Sequence, residues 1–334
     1  IPLKYGLIGQ ETTGAGGFFN AMRTIPATMN LVHTMEKLCP DAWLINFTNP
    51  SGIITEAVHR YSKIKCVGLC NVPFNMHMDA ARLCNVEPER VYCHMVGLNH
   101  LSFLTEILVD GKPVMQELID KNRFDGQLVK NVPKVPGISK LISQLQLIPS
   151  PYLQYYYYED FMLEKEKSEI KEGLGTRGEQ VLKVQNSLFD LYQDPELCEK
   201  PQELEKRGGA YYSTVATMLI KALLGYGSIN MPVNYANMGA LSDLSMDSVV
   251  ETNCIISKNN VRPLAFGTLP SQIKGLISQV KAYETLTVEA SIEQSRKKAI
   301  LALLNHPLIH GYDNACRLVD EMQDNFGKYI GELK

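Results

Sequence analysis

Between residues 43 and 83 the chain alternates strand and helix twice, and that alternation limits the fold more than any other feature. Trp43-Leu44-Ile45-Asn46-Phe47-Thr48 is a short apolar run ending at Asn49-Pro50, and a helical stretch follows from about Gly52 to Tyr61. Cys66-Val67-Gly68-Leu69 is a second such run, ending at Cys70-Asn71, with a helical stretch from Phe74 to Leu83. Strand, helix, strand, helix predicts a parallel sheet with helices on its faces. Ligands of such sheets collect beyond the carboxyl ends of the strands, where Asn49, Cys70 and Asn71 fall.

Upstream, Pro26 suits a helix start, and Leu31, Met35 and Leu38 supply an apolar stripe that Pro40 ends. The pattern changes after about Val91. Leu101 to Val109 reads as a strand entering a turn at Asp110-Gly111, residues 137–224 as mainly helical, Ile229 to Phe266 as short strands, and Ser271 to Tyr329 as helices. A domain boundary is placed near residue 95, dividing the chain into 1–95 and 96–334. Tyr152 and Tyr155 to Tyr158 form an aromatic cluster, read as core and subunit packing.

With 45% hydrophobic and 21% charged residues and a formal net charge of -3, the chain reads as an ordinary globular protein. It has no dense basic run to hold nucleic acid or an anionic membrane, and no apolar stretch of membrane-spanning length. The eight cysteines are scattered without a zinc-like CxxC pair, and a chain of 334 residues needs no disulfide staples; a reducing cytoplasm is expected. No signal peptide is evident. The chain starts at Ile1 with no opening strand and reads as lacking its first segment.

Three groups of residues carry chemistry. Cys70 lies at a strand end, thirty residues before His100, and each neighbours an amide, Asn71 and Asn99. The plain reading is a buried thiol and a backbone-satisfied histidine. The alternative is a divalent metal held by sulfur and imidazole nitrogen, with open positions for substrate oxygens and amides for sugar hydroxyls. Gly9-Gln10-Glu11-Thr12-Thr13-Gly14-Ala15-Gly16-Gly17 is a loop whose glycines let backbone amides approach a ligand, although its spacing is not that of a dinucleotide fingerprint. Composition alone makes Glu11 an exposed loop carboxylate. Lys206-Arg207-Gly208-Gly209-Ala210-Tyr211-Tyr212-Ser213 sets two tyrosines at a helix start, where one serves either as packing or, beside a cation, as a base.

Together these segments resemble the family-4 glycoside hydrolases, in particular their 6-phospho-β-glucosidases. The matching pieces are Gly9 through Gly17, Asn46-Phe47-Thr48-Asn49-Pro50, Gly68-Leu69-Cys70-Asn71-Val72-Pro73, Gly97-Leu98-Asn99-His100 and Arg207 through Ser213, in family order with similar spacing. The resemblance implies an α/β fold: an incomplete Rossmann-like dinucleotide-binding domain, joined to an α+β domain like the C-terminal domain of lactate and malate dehydrogenases. It implies Cys70 and His100 as ligands of manganese or another divalent metal. Tyr212 is then the base and Glu11 a carboxylate that strengthens it, with Asn49 and Asn71 as substrate-binding amides. Asn71 stands where α-specific relatives carry an acidic aspartate, which favours β-glycosides. Ala236 stands where some relatives carry a phosphate-binding arginine. The family's NAD-binding glycine loop lies upstream and is absent from this chain.

The implied activity is hydrolysis of phosphorylated cellobiose-type disaccharides by oxidation, elimination, addition and reduction with NAD and a metal, a departure from the two-carboxylate glycosidases. Homodimers or homotetramers are implied as well. Two other readings stay open: an NAD-dependent dehydrogenase on the same scaffold, and a truncated, inactive association module.

Overall fold

The computed structural model describes residues 1–124, 134–204 and 211–334. Lys206 through Ala210, part of the predicted tyrosine segment, lie outside the described residues.

Strands β1 (Trp43–Asn46) and β2 (Lys65–Gly68) are parallel, with Trp43 opposite Lys65 and Asn46 opposite Gly68. The helices Ser51–Tyr61 and Asn71–Cys84 follow them, as the alternation requires. The sheet then continues with strands remote in sequence. β7 (Ile229–Ala236) pairs antiparallel with β2 through Gly68 and Asn234. β8 (Val249–Ser257) and β9 (Asn260–Pro263) extend it, giving the order β1-β2-β7-β8-β9. A second sheet joins β3 (Val91–Leu98), β4 (Leu101–Val109) and β5 (Lys112–Pro113), with β6 (Ile148–Pro149) also on β4. Side chains stitch the sheets together. Asn253 of β8 accepts the Met95 N–H (2.8 Å) and donates to the Cys93 carbonyl (3.1 Å), and Thr252 donates to the Met95 carbonyl (2.9 Å).

The first helix differs from its predicted start. It runs Gly14–Leu38, with Pro26 in its interior. Its buried face is Phe18, Met22, Ile25, Met29 and Val32, a three-and-four spacing, whereas Leu31 is 53% and Leu38 78% exposed. The competing stripe is longer and reaches the core shared with the helices Ser51–Tyr61, Ser271–Glu293, Arg296–Asn305 and Tyr312–Ile330. A proline that spares one backbone bond does not outweigh that burial. Two smaller cores lie under β3 and β4, and between β7, β8 and the helix Tyr212–Leu224.

Gly68 shows how tightly the helix over β2 is seated. A Cβ there would lie 2.3 Å from Thr55 Oγ1 and 2.7 Å from Ser51 Oγ. Only a residue without a side chain lets the helix approach the strand that leads to Cys70.

Candidate active site

The segment after β1 is shaped by Asn46. Its Oδ1 accepts the Thr48 N–H (3.0 Å), while its Nδ2 donates to Thr55 Oγ1 (3.1 Å) and the Ser51 carbonyl (3.3 Å). That leaves Asn49, joined to Pro50 by a cis peptide, at the mouth of the strand ends. Asn49 Oδ1 is buried and has no hydrogen-bond partner, an orphan acceptor of the kind a ligand hydroxyl satisfies.

β2 ends nearby, with the Leu69 N–H on the Asn46 carbonyl (2.9 Å), and Cys70 becomes the N-cap of Asn71–Cys84. The Cys70 sulfur faces the backbone N–H groups of Asn71 and Val72 and the Asn99 side chain. Burial, and then the charge of Glu251, push this thiol well above its ordinary value, while those three donors oppose the rise. Asn71 is buried in the first turn of the same helix.

His100 arrives from the other sheet. Leu98 pairs with Leu101, so Asn99 and His100 form a two-residue hairpin turn, and His100 adopts φ 63°. A non-glycine residue held there costs about 1–3 kcal/mol. The strained turn is fastened by Asn99, whose Oδ1 accepts the Ser51 N–H (3.0 Å) and whose Nδ2 reaches Glu251 Oε1 (3.2 Å). Glu251 also accepts from Ser102 Oγ (2.9 Å) and Asn234 Nδ2 (2.9 Å). Burial raises Glu251 to about 7 against those three donors. The His100 ring stacks on Tyr152, centroids 3.7 Å apart and 4° from parallel, and its Nδ1 lies 2.9 Å from Thr12 Oγ1. Burial lowers His100 to about 3, so the ring is neutral.

Tyr212 opens the helix Tyr212–Leu224, its ring edge-on to Phe47 with centroids 5.0 Å apart. Its hydroxyl is near enough to the Asn49 side chain to feel it electrostatically. Burial, then Cys70, raise this phenol above its usual range, and Asn49 opposes them. A cation beside the phenol and the thiol would reverse both shifts.

Tyr212, Cys70 and the Asn99–His100 turn are each fastened to the segment 46–51 that carries Asn49, through Phe47, the Leu69 N–H and the Ser51 N–H, although they come from three strand ends and a helix start. Glu11 sits differently. It is exposed, 3.8 Å from Arg177 Nε, and its charge acts on Glu166 and Tyr155. The shift of Tyr212 arises from burial, Cys70 and Asn49. Among the described residues, no group of three or more His, Cys, Asp or Glu side chains is placed to hold a metal. Cys70 and His100 are the candidate protein ligands for a cation, whose other positions would fall to substrate or water oxygens. A neutral imidazole, a thiol under three N–H donors and an orphan amide oxygen fit that donor set.

Several contributors were not legible in the sequence. The Asn99 amide, expected to meet sugar hydroxyls, is committed to Ser51, Glu251 and Cys70. Tyr152, read as packing, lies against His100. The segment read as a loop through Gly17 is helical from Gly14, and Gly16 seats that helix start on the turn before it: a Cβ on Gly16 would sit 2.1 Å from the Gln10 carbonyl oxygen. Nothing local marked Glu251 or Asn234, since their role comes from pairing across the sheets.

Residues 1–86 match the pattern described as family 4 glycosyl hydrolase, and residues 95–309 that of the family 4 glycosyl hydrolase C-terminal domain. A probable 6-phospho-beta-glucosidase of Bacillus subtilis is 41% identical over all of this chain and 76% of its own length. A 6-phospho-beta-glucosidase of Escherichia coli is 38% identical over all of this chain and 77% of its own. The 6-phospho-beta glucosidase of Thermotoga maritima, solved with manganese, NAD+ and glucose-6-phosphate, superposes with a TM-score of 0.88 at 37% identity, covering 100% of this chain and 77% of that one. The chain belongs to family 4 of the glycosyl hydrolases.

Proposed function

We propose that this chain hydrolyses 6-phospho-β-glucosides, with phosphorylated cellobiose-type disaccharides as the substrate class and NAD plus manganese or another divalent cation as cofactors. The observation that carries the reading is that Tyr212, Cys70 and the Asn99–His100 turn all pack onto the segment 46–51, where Asn49 Oδ1 is buried without a partner. It lies at the strand ends of a fold whose 37%-identical relative was solved with all three ligand types. When bound, NAD exchanges a hydride with the sugar and the cation acts as a Lewis acid on its oxygens. Cys70 and His100 hold the cation. Tyr212 takes the proton from sugar carbon 2, its phenol acidified by the nearby positive charge. The orphan Oδ1 of Asn49 accepts a sugar hydroxyl, and Asn71 adds a second amide. Glu11 strengthens Tyr212 as a base. Residues 1–95 serve the dinucleotide and lend Asn49, Cys70 and Asn71 to the sugar and the cation, and 96–334 supply the rest of that site and the subunit contacts.

The protein acts as a homodimer or homotetramer in the cytoplasm. Leu182 (54% exposed) and Phe189 (58% exposed), on the helix Arg177–Leu191, supply apolar surface for self-association. All eight cysteines are free thiols, which suits a reducing compartment. Among the described residues no helix is long and apolar enough to cross a membrane.

The test supplies Mn2+, NAD and a reductant, then compares chromogenic 6-phospho-β-glucosides with plain β-glucosides and with the α-anomers. Cleavage confined to the phosphorylated β-anomer, with no net NADH, is expected. Accumulating NADH without glycoside cleavage would make the chain a dehydrogenase, and turnover of neither would leave an association module.

A further inference from the structure

We propose that Gln10 and Thr12 fix the tautomer of His100, keeping its proton on Nδ1 and presenting Nε2 as a lone pair to a divalent cation. The inference deepens the reading of His100 as a metal ligand and rests on it. It follows from counting donors. Gln10 Oε1 lies 2.6 Å from the Thr12 backbone N–H, which can only donate, so the atom facing it is the amide oxygen. Thr12 Oγ1 lies 2.9 Å from that same oxygen and spends its single proton there. Its lone pair is then what faces His100 Nδ1 at 2.9 Å, and the ring nitrogen must be the donor. A neutral imidazole with its proton on Nδ1 has an unprotonated Nε2.

The surroundings hold each link in place. Gln10 is 5% exposed, and its backbone is pressed against Gly16 where no side chain would fit. Stacking on Tyr152 sets the plane of the His100 ring. A half-turn about Cβ–Cγ would preserve that stack but set carbon Cδ2 against Thr12, losing the hydrogen bond; the hydroxyl therefore selects the ring orientation as well as the tautomer. Partners of this kind orient metal-ligating histidines and raise their basicity, and removing one commonly lowers metal affinity about 10–100-fold.

The experiment uses the full chain labelled with [15N]histidine, metal-free, with His100 assigned by its loss in His100→Gln. Two-bond nitrogen–proton correlations report the tautomer, and Mn2+ affinity is read from the electron paramagnetic resonance of the free ion. Wild type is expected with the proton on Nδ1. Thr12→Val and Gln10→Met should both move population to the Nε2–H form and weaken Mn2+ binding about 10–100-fold. Thr12→Ser, which keeps the hydroxyl, should retain the wild-type tautomer and affinity. A wild-type proton on Nε2, or a tautomer unchanged in both Thr12→Val and Gln10→Met, overturns the proposal. Failure of wild type to take up Mn2+ would instead sink the metal reading, and the tautomer spectrum, recorded without metal, tells the two failures apart.

Discussion

Lys281→Met should destabilise this protein more than almost any other single change, because it strips the cation from a buried carboxylate pair. Lys281 is 4% exposed, and its Nζ lies 2.8 Å from Glu56 Oε2 and 2.5 Å from Glu284 Oε2. Glu56 is fully buried. It also accepts the Val249 N–H (3.0 Å) and the Thr285 hydroxyl (2.9 Å), so it ties Ser51–Tyr61 to β8 and to Ser271–Glu293. Burial alone would raise Glu56; the charge and hydrogen bond of Lys281, the Val249 N–H and Arg60 outweigh it and hold the carboxyl below its usual range. Removing one member of a buried ion pair costs about 3–5 kcal/mol; here Glu284 loses the Lys281 cation and Glu56 is left to Arg60, whose Nε lies 3.2 Å away. An unfolding entropy of about 2.1 cal/mol/K per residue over 334 residues converts that cost to a fall in Tm of ~4–7 °C.

Calorimetry and urea titration measure this loss. A depressed carboxyl stabilises above its unfolded pKa and loses that contribution as pH falls through its folded value. The part of the gap between wild type and Lys281→Met that Glu56 carries should therefore be full above pH 4.5, the ordinary value for this group, and narrow below it. Adding Glu56→Gln to Lys281→Met should recover part of the loss, since one of the two carboxylates that faced Lys281 is then neutral. A Tm within about 1 °C of wild type, or a double variant as unstable as the sum of the singles, would refute the assignment of this pair as a buried anchor.

Tyr212→Phe should lower turnover of a chromogenic 6-phospho-β-glucoside about 10²–10⁴-fold while Mn2+ affinity stays at the wild-type level; a loss below tenfold removes the base role. Glu166, which accepts the Gly9 N–H at 2.7 Å, is raised to about 7, first by burial and then by Glu169 and Glu11 against that N–H. A raised carboxyl stabilises below its unfolded value of 4.5 and loses that contribution as pH climbs through 7, so Glu166→Gln should flatten the fall in stability over this window; parallel urea curves for the two proteins at pH 5 and pH 8 would contradict it. Gly68→Ala should cost about 1–3 kcal/mol in urea unfolding, since its Cβ would lie 2.3 Å from Thr55 Oγ1; unchanged stability would mean that the helix over β2 yields freely.

The amino-acid order by itself determined the parts that local rules govern. Alternation of short apolar runs with helical stretches placed β1, β2 and their helices within a few residues, because turn chemistry and hydrophobic period act over a handful of neighbours. The position of Asn49 and Cys70 beyond strand ends followed from the same pattern, and the full set of motifs carried the family. Tertiary structure decided what depends on distant partners. Nothing near Gly68 in the chain says that Asn234 lies opposite it, and nothing near His100 says that Thr12 and Tyr152 close on its ring. Pro26 misled for a related reason: a local helix-start signal lost to a longer apolar face whose core is built from residues 51–330. Buried carboxylates such as Glu56 and Glu251 look like solvated side chains in a linear string. Their importance exists only where folding removes water and supplies, from elsewhere in the chain, the donors that replace it.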